Sequence, residues 1–410
     1  MSSIRPIALA GLSALLLVAG TAPARTGGLL EIDTGFGRQG VVSPGRSVPG
    51  FEEIQAMTVP GGTIYVAAEK GATPGMVVIA RYWRDGDPEI SFGDHGYATL
   101  HDFGPIDTLA TDHAGRLFAV SQRRSKITKF DGSGHPDPSF GGDGSVDMAE
   151  LGLERLHLWS LISSPSGGLA AAAIAYGGDR MAAVRLRRDG SPDSSFNGSG
   201  FAEVSFGPYT ESGAVQVRAQ GDGKLILAGF ARGRPAMARL RPDGSLDESF
   251  GGDGRVIVPP WMRGRITALT VRRDGSILAG ATGRTRPGTG PRALLLRFSP
   301  DGKLDHRFGA VAAPGSRSNP QATPITVMQT RHHIFMAVTS TALRSRAPAV
   351  RAFQLDGRPL PLGPVPGLPQ GRLSGIVAAS QNRDPRLILA YTPPHESYEG
   401  VVRIKRFLLR

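Results

Sequence analysis

The 410-residue sequence contains no cysteine. That excludes disulfides, thiolate nucleophiles, iron–sulfur clusters and cysteine-based zinc sites, so the fold has to close and hold by packing alone. Beyond the first 24 residues no long apolar run occurs, and no later stretch approaches a transmembrane span. Charged residues at 20% and hydrophobic residues at 40% exclude disorder, and the lack of a Gly-X-Y period excludes collagen. Catalytic signatures are missing as well: there is no His-Glu-x-x-His, Gly-x-Ser-x-Gly, Ser-x-x-Lys, phosphate-binding P-loop or Gly-x-Gly-x-x-Gly. No cofactor or metal is therefore expected, and an enzyme is the less favoured reading.

Glycine (56) and proline (32) are abundant instead, and both disfavour long helices in an element interior. Lys and Arg total 47 against 35 acids, a net charge of +12 that admits acidic partners without naming one. Residues 1–24, MSSIRPIALAGLSALLLVAGTAPA, carry one positive charge at Arg5, an apolar stretch from Ile7 to Gly20 and the small-residue signal Ala22-Pro23-Ala24. They read as a cleaved signal peptide, so an exported protein, periplasmic or extracellular, is expected, with one domain over 25–410.

A repeat organises that domain. GSLDESFGGDGRVIV (Gly244 to Val258), GHPDPSFGGDGSVDM (Gly134 to Met148), GSPDSSFNGSGFAEV (Gly190 to Val204) and GDPEISFGDHGYATL (Gly86 to Leu100) are copies of one unit, with shorter copies at Glu31 to Val42 and Gly302 to Ala312. Their phenylalanines stand at 36, 92, 140, 196, 250 and 308, a mean period of about 54, and an eroded copy, GRPLPLGPV, begins at Gly357. Each period holds four short β-type runs separated by Asp-Gly turns, as in AVQVRAQGDG, KLILAGF, AMARLRPDG and GRVIVPP. Four antiparallel strands per unit predict a propeller blade. Third strands at Met76–Trp83, Lys126–Phe130, Met181–Arg187, Met237–Arg241, Ala293–Phe298, Ala349–Gln354 and Val401–Leu408 predict seven blades. The C-terminal segment VVRIKRFLLR is a third strand lacking its partner, and IDTGFGRQGVV near the N-terminus supplies one. The expectation is an all-β, seven-bladed β-propeller closed by an N-terminal strand that completes the last blade.

Asp243-Gly244-Ser245-Leu246-Asp247-Glu248-Ser249-Phe250-Gly251, with its copies, resembles the delta-60 repeat, a bacterial β-propeller unit. The resemblance implies a secreted or envelope propeller and brings no catalytic residue with it.

Because the loop acid and phenylalanine recur in nearly every copy, they read as structural: the ring plugs between blades while Asp137, Asp193, Asp247 and Asp305 cap loop N–H groups. A calcium loop counted from Asp243 finds Ser245 and Asp247 but Gly254 where a bidentate acid is required. His332 and His333 are adjacent on a strand and point to opposite faces, which separates them as metal ligands. His395, Glu396 and Glu399 read as a solvated loop.

Successive antiparallel strands reverse direction, so the Asp-Gly turns collect on one face of the ring and the longer loops on the other. That second face gathers Arg123, Arg124, Arg180, Arg232, Arg234, Arg263, Arg265, Arg284, Arg286, Arg344 and Arg346, with Trp261 among them and Trp159 and Tyr209 as aromatic neighbours. Arginine makes bidentate contacts to carboxylate and phosphate. The expected function is a non-enzymatic, monomeric binding scaffold whose partner is an anionic polysaccharide, lipid headgroup or acidic protein. Nucleic acid is the disfavoured partner. The alternative is a propeller enzyme, a carbohydrate lyase or hydrolase or a quinoprotein-like protein, acting at the mouth of the central channel.

Overall fold

A computed structural model of the chain describes residues 30–44, 51–70, 76–101, 103–106, 108–112, 114–121, 125–164, 168–176, 180–284, 292–308, 311–312, 322–340, 349–362, 375–379, 386–391 and 403–409. Among them there is no α-helix. The strands form seven antiparallel sheets, six of them four-stranded and spanning 51–100, 108–147, 156–204, 212–257, 263–312 and 322–360. The seventh joins Gly375–Ala379, Arg386–Tyr391 and Arg403–Leu409 to two N-terminal pieces, Leu30–Ile32 and Val41–Val42, both paired with Arg403–Leu409. The innermost strand of each sheet contacts the innermost strand of the next, from Phe51–Thr58 round to Gly375–Ala379 and back. This is the seven-bladed propeller expected from the repeat, with the strand exchange at the expected place.

No single core fills the ring. Seven apolar clusters lie between blades, each drawing residues from two neighbouring sheets. A sheet covered on both faces calls for continuous rather than alternating apolar runs. Leu169–Ala175, LAAAAIA, meets that demand and is buried at every position.

The recurrent phenylalanines occupy six of these seven clusters, one each: Phe36, Phe92, Phe140, Phe196, Phe250 and Phe308. Each arises from the loop of one blade and packs against the next. Phe250 lies over Gly302 of the following blade, where φ is +85° and an added Cβ would stand 2.7 Å from the ring. The Asp-Gly turn therefore needs its glycine twice, for the left-handed backbone and for the space.

A cation on the third strand binds each plug in place. Arg81, Lys129, Arg185, Arg239 and Arg297 stand eleven residues before the phenylalanine and eight before the acid. The ion pairs to Glu89, Asp137, Asp193, Asp247 and Asp305 measure 2.5 to 2.7 Å. Arg406, near the C-terminus, makes the same contacts with Asp33 (2.7 Å) and Phe36 (4.7 Å to the ring centroid) across the closing sheet. Four of the five in-blade cations lie 4.6 to 5.4 Å above the phenylalanine ring centroid. These arginines also donate to a backbone carbonyl of the following blade, Arg239 Nη1 to Pro300 O at 2.6 Å and Arg297 Nη1 to Leu355 O at 3.0 Å. The acids cap the loop as expected, Asp137, Asp193 and Asp247 each accepting from the N–H of the serine two residues on, and Asp305 from that of Arg307.

The sixth blade lacks the whole set. Ala352 stands where the cation belongs, Leu360 at the acid, Leu362 at the serine and Gly363 at the phenylalanine. Leu360 and Leu362 pack instead into the cluster between the sixth and seventh blades. Loss of the cation, the acid and the phenylalanine together indicates that these three act as one unit.

Acid should undo this unit before it undoes the core. The hydrogen bonds from Lys129 and then Ser139 hold the Asp137 carboxyl at about 2. Burial works to raise that of Asp247, but Ser249, Lys224 and Arg239 outweigh it and hold it at about 2 also. Both lie below the ordinary 3.8, so the stability they contribute is complete above about pH 4 and is lost as pH falls through the folded value. A melting temperature level from pH 7 to about 4.5 and falling steeply toward pH 2 is expected by calorimetry; an unchanged value at pH 2 would count against it.

Candidate functional site

On the long-loop face the fourth and fifth blades meet around a cleft of about 430 Å³. Its shape follows from two hairpins. The second and third strands of the fourth blade, Leu225–Ala231 and Arg234–Leu240, are joined by Arg232 and Gly233, with φ of 54° and 65°. Two consecutive positive φ values mark the tight turn that suits strand twist, and it sets the Arg232 side chain out at the face. In the fifth blade Arg263–Val271 pairs with Ile277–Arg284 so that Arg263 stands opposite Arg284 and Arg265 opposite Thr282. Gly264, at φ +140°, lies where an added Cβ would fall 1.8 Å from the Thr282 carbonyl oxygen, leaving the floor between the arginines bare.

Arg263, Arg265 and Arg284 line this cleft with Phe230, Thr282 and Glu211. Arg263 Nη1 donates to Arg232 O at 3.2 Å and Arg232 Nη2 to Phe206 O at 3.1 Å. Burial, then the positive charges of Arg232 and Arg263, push the Arg234 guanidinium below its ordinary value, which places the three side chains in one electrostatic neighbourhood. Among the described residues none of Arg232, Arg234, Arg263, Arg265 and Arg284 has an ion pair. Arg81, Arg185, Arg239, Arg297 and Arg406, toward the other face, are by contrast each matched to an acid.

The remaining arginines of the sequence-derived set divide. Arg180 is on the same face but is neutralised by Glu203 at 3.2 Å. Arg123, Arg124, Arg286, Arg344 and Arg346 lie outside the described residues, as do His395, Glu396 and Glu399. Trp261 is exposed in the connection between the fourth and fifth blades and does not line the cleft. Trp159 belongs to an innermost strand, at the point where the pairing register shifts. Tyr209 is fully exposed. Among the described residues no group of three or more His, Asp or Glu is gathered tightly enough to hold a metal.

A second cavity, of about 380 Å³, lies on the third blade at the same face, lined by Leu153, Arg155, Tyr176, Arg180, Phe201 and Glu203 among others. The Tyr176 hydroxyl is 2.8 Å from His157 Nδ1, and the two rings meet edge to face at 4.2 Å. Burial pushes His157 below its ordinary value, which favours the neutral imidazole. Neither residue stands out in the repeat pattern. They meet through their hairpin, where His157 is opposite Ile174 and Tyr176 is its diagonal neighbour on one face of the sheet.

The plugs, clasps and four-strand units define a β-propeller repeat protein. A family model described as "Domain of unknown function (DUF5122) beta-propeller" matches residues 165–196, 220–250 and 272–308. Each matched stretch spans the second and third strands of a blade and ends at its phenylalanine plug, Phe196, Phe250 or Phe308. Among solved structures, the virginiamycin B lyase of Staphylococcus aureus, in a catalytically inactive form with quinupristin, is 12% identical over 90% of this chain and 99% of its own, with a TM-score of 0.52. A streptogramin B lyase matches with 12% identity over 90% of this chain and 97% of its own, again at a TM-score of 0.52. The polysaccharide lyase Uly1 is 10% identical over 88% of this chain and 90% of its own, at a TM-score of 0.50. At these identities the likeness is one of fold. No curated protein matches the chain.

Proposed function

We propose that this chain is an exported propeller of the delta-60 repeat kind that binds an acidic polysaccharide through the arginine cleft of its long-loop face, without catalysing a reaction. One observation carries the reading: Arg263, Arg265 and Arg284 line one cleft with Arg232 and Arg234 beside it, and among the described residues none of the five has an ion pair, whereas Arg81, Arg185, Arg239, Arg297 and Arg406 toward the opposite face are each matched to an acid. Like charges held together unpaired on a rigid scaffold are costly unless a counter-charge arrives, and a planar guanidinium is suited to a carboxylate or sulfate. Long loops on a fixed ring are also where binding usually resides. Export rests on residues 1–24, which lie outside the described residues; among the described residues no helix is long and apolar enough to cross a membrane.

Retention on immobilised polygalacturonate tests the proposal. The mature protein should be held at low ionic strength and released by salt, since exposed charges are screened over roughly 10 Å at 0.1 M. Changing Arg263, Arg265 and Arg284 together to Ser should weaken binding at least tenfold with the melting temperature unchanged; equal retention would sink the idea. A second reading, an enzyme at this face, is supported by the Tyr176–His157 hydrogen bond. Its readout is separate: new chain ends released from the same polymer, of which the binding reading expects none.

A further inference from the structure

The cavity of the third blade differs from the arginine cleft in ways that bear on what fills it. Its charges balance, Arg155 and Arg180 against Glu154 and Glu203, so it has no net pull on an anion. Arg155 has no ion pair among the described residues, and the Arg180–Glu203 pair is half-exposed, so both present hydrogen-bonding groups to the cavity. Its one large exposed aromatic is Tyr176, 45% exposed and held by the bond to His157 and the edge-on contact with that ring. A half-exposed ring fixed at its hydroxyl offers a flat apolar face without conformational loss on binding. Leu153 and Phe201 continue that apolar surface.

A flat aromatic beside a balanced set of guanidinium and carboxylate groups complements a molecule that is apolar on one face and hydroxylated at its edge. We propose that this cavity is a pyranose-ring subsite, with Tyr176 stacking on the sugar and Arg155, Arg180 and Glu203 hydrogen-bonding its hydroxyls. The inference rests on the reading of the arginine cleft: one site takes the charge of an acidic glycan and the other takes one of its rings. The two are on neighbouring blades of one face. Ile174, at the end of the third blade's second strand, and Phe230, a lining residue of the cleft, both approach Gly213 between them.

Two probes separate the sites: trigalacturonate, which has rings and charge, and inorganic tripolyphosphate, which has charge alone. Calorimetric titration of the full mature chain should detect both. Tyr176→Ala should weaken trigalacturonate about tenfold, the usual scale for losing an aromatic anchor, and leave tripolyphosphate unchanged. Tyr176→Phe keeps the ring and should stay within about threefold of wild type for the sugar. The triple arginine-to-serine variant should weaken both probes. Equal sugar affinity for wild type and Tyr176→Ala would overturn the subsite, as would a loss in Tyr176→Phe as large as in Tyr176→Ala. Wild-type binding of tripolyphosphate without trigalacturonate would remove the subsite and leave the arginine cleft standing; binding of neither would remove both.

Discussion

A chain lacking residues 30–42 is expected to lose its cooperative melting transition and to associate. The segment supplies the outer strand of the closing sheet, pairing Leu30 with Leu409 and Val42 with Ile404. It also buries Leu30, Phe36 and Val42 in the two clusters that flank the seventh blade. Removing one large buried apolar side chain typically costs about 2–5 kcal/mol, so three together approach the roughly 5–15 kcal/mol that separates folded from unfolded protein. Arg406 and Arg386 would lose Asp33 as well. The bared edge of Arg403–Leu409 is then free to pair with another chain. Circular dichroism melts and size-exclusion chromatography read the two effects. Adding a peptide of residues 25–44 should restore the transition, and melting unchanged by the deletion would show that the N-terminal strand does not close the ring.

The second large effect concerns Arg239. Its side chain is 7% exposed and its partner Asp247 5%, so removing Asp247 leaves a buried guanidinium without its acid, and removing Arg239 leaves the buried carboxylate only Lys224, at 3.2 Å. Such a change typically costs about 3–5 kcal/mol, and Arg239→Met or Asp247→Leu alone is expected to fall in that range. The double variant should recover most of the loss, because an apolar pair of similar volume often replaces a buried ion pair at little cost. The sixth blade has already made that exchange, with Ala352 and Leu360 in the two positions. Chemical denaturation of the two single variants and the double forms a mutant cycle. Additive losses would mean that the pair is not the unit the sixth blade implies.

The ring was legible in the sequence because a blade is a local object. Its turns, its plug and its strand lengths fall within one period, so Phe250 and its copies announced the unit and the seven third strands announced the count. The exchange of strands was legible for the same reason, since IDTGFGRQGVV carries the period's phase. The clasp was equally written there, at constant spacings of eight and eleven, but a lysine at 129 and a glutamate at 89 blur the residue type while keeping the charge. The sites were harder. Arg180 and Arg263 look alike in sequence, and only the third dimension gives Glu203 to one and not to the other. Tyr176 and His157 belong to different strands of a hairpin whose register shifts between Leu158 and Ser160, so their meeting depends on a bulge that no residue type marks.

The division of charge between the two faces has an evolutionary consequence. The plug, the cation, the acid and the glycine turn, which recur in blade after blade, are kept to one end of the ring. The cleft and the third-blade cavity are built at the other end, from segments outside that recurrent unit. Loops there can be lengthened, shortened or recharged without disturbing closure, so the same ring can be refitted for new ligands while its assembly rules stay fixed.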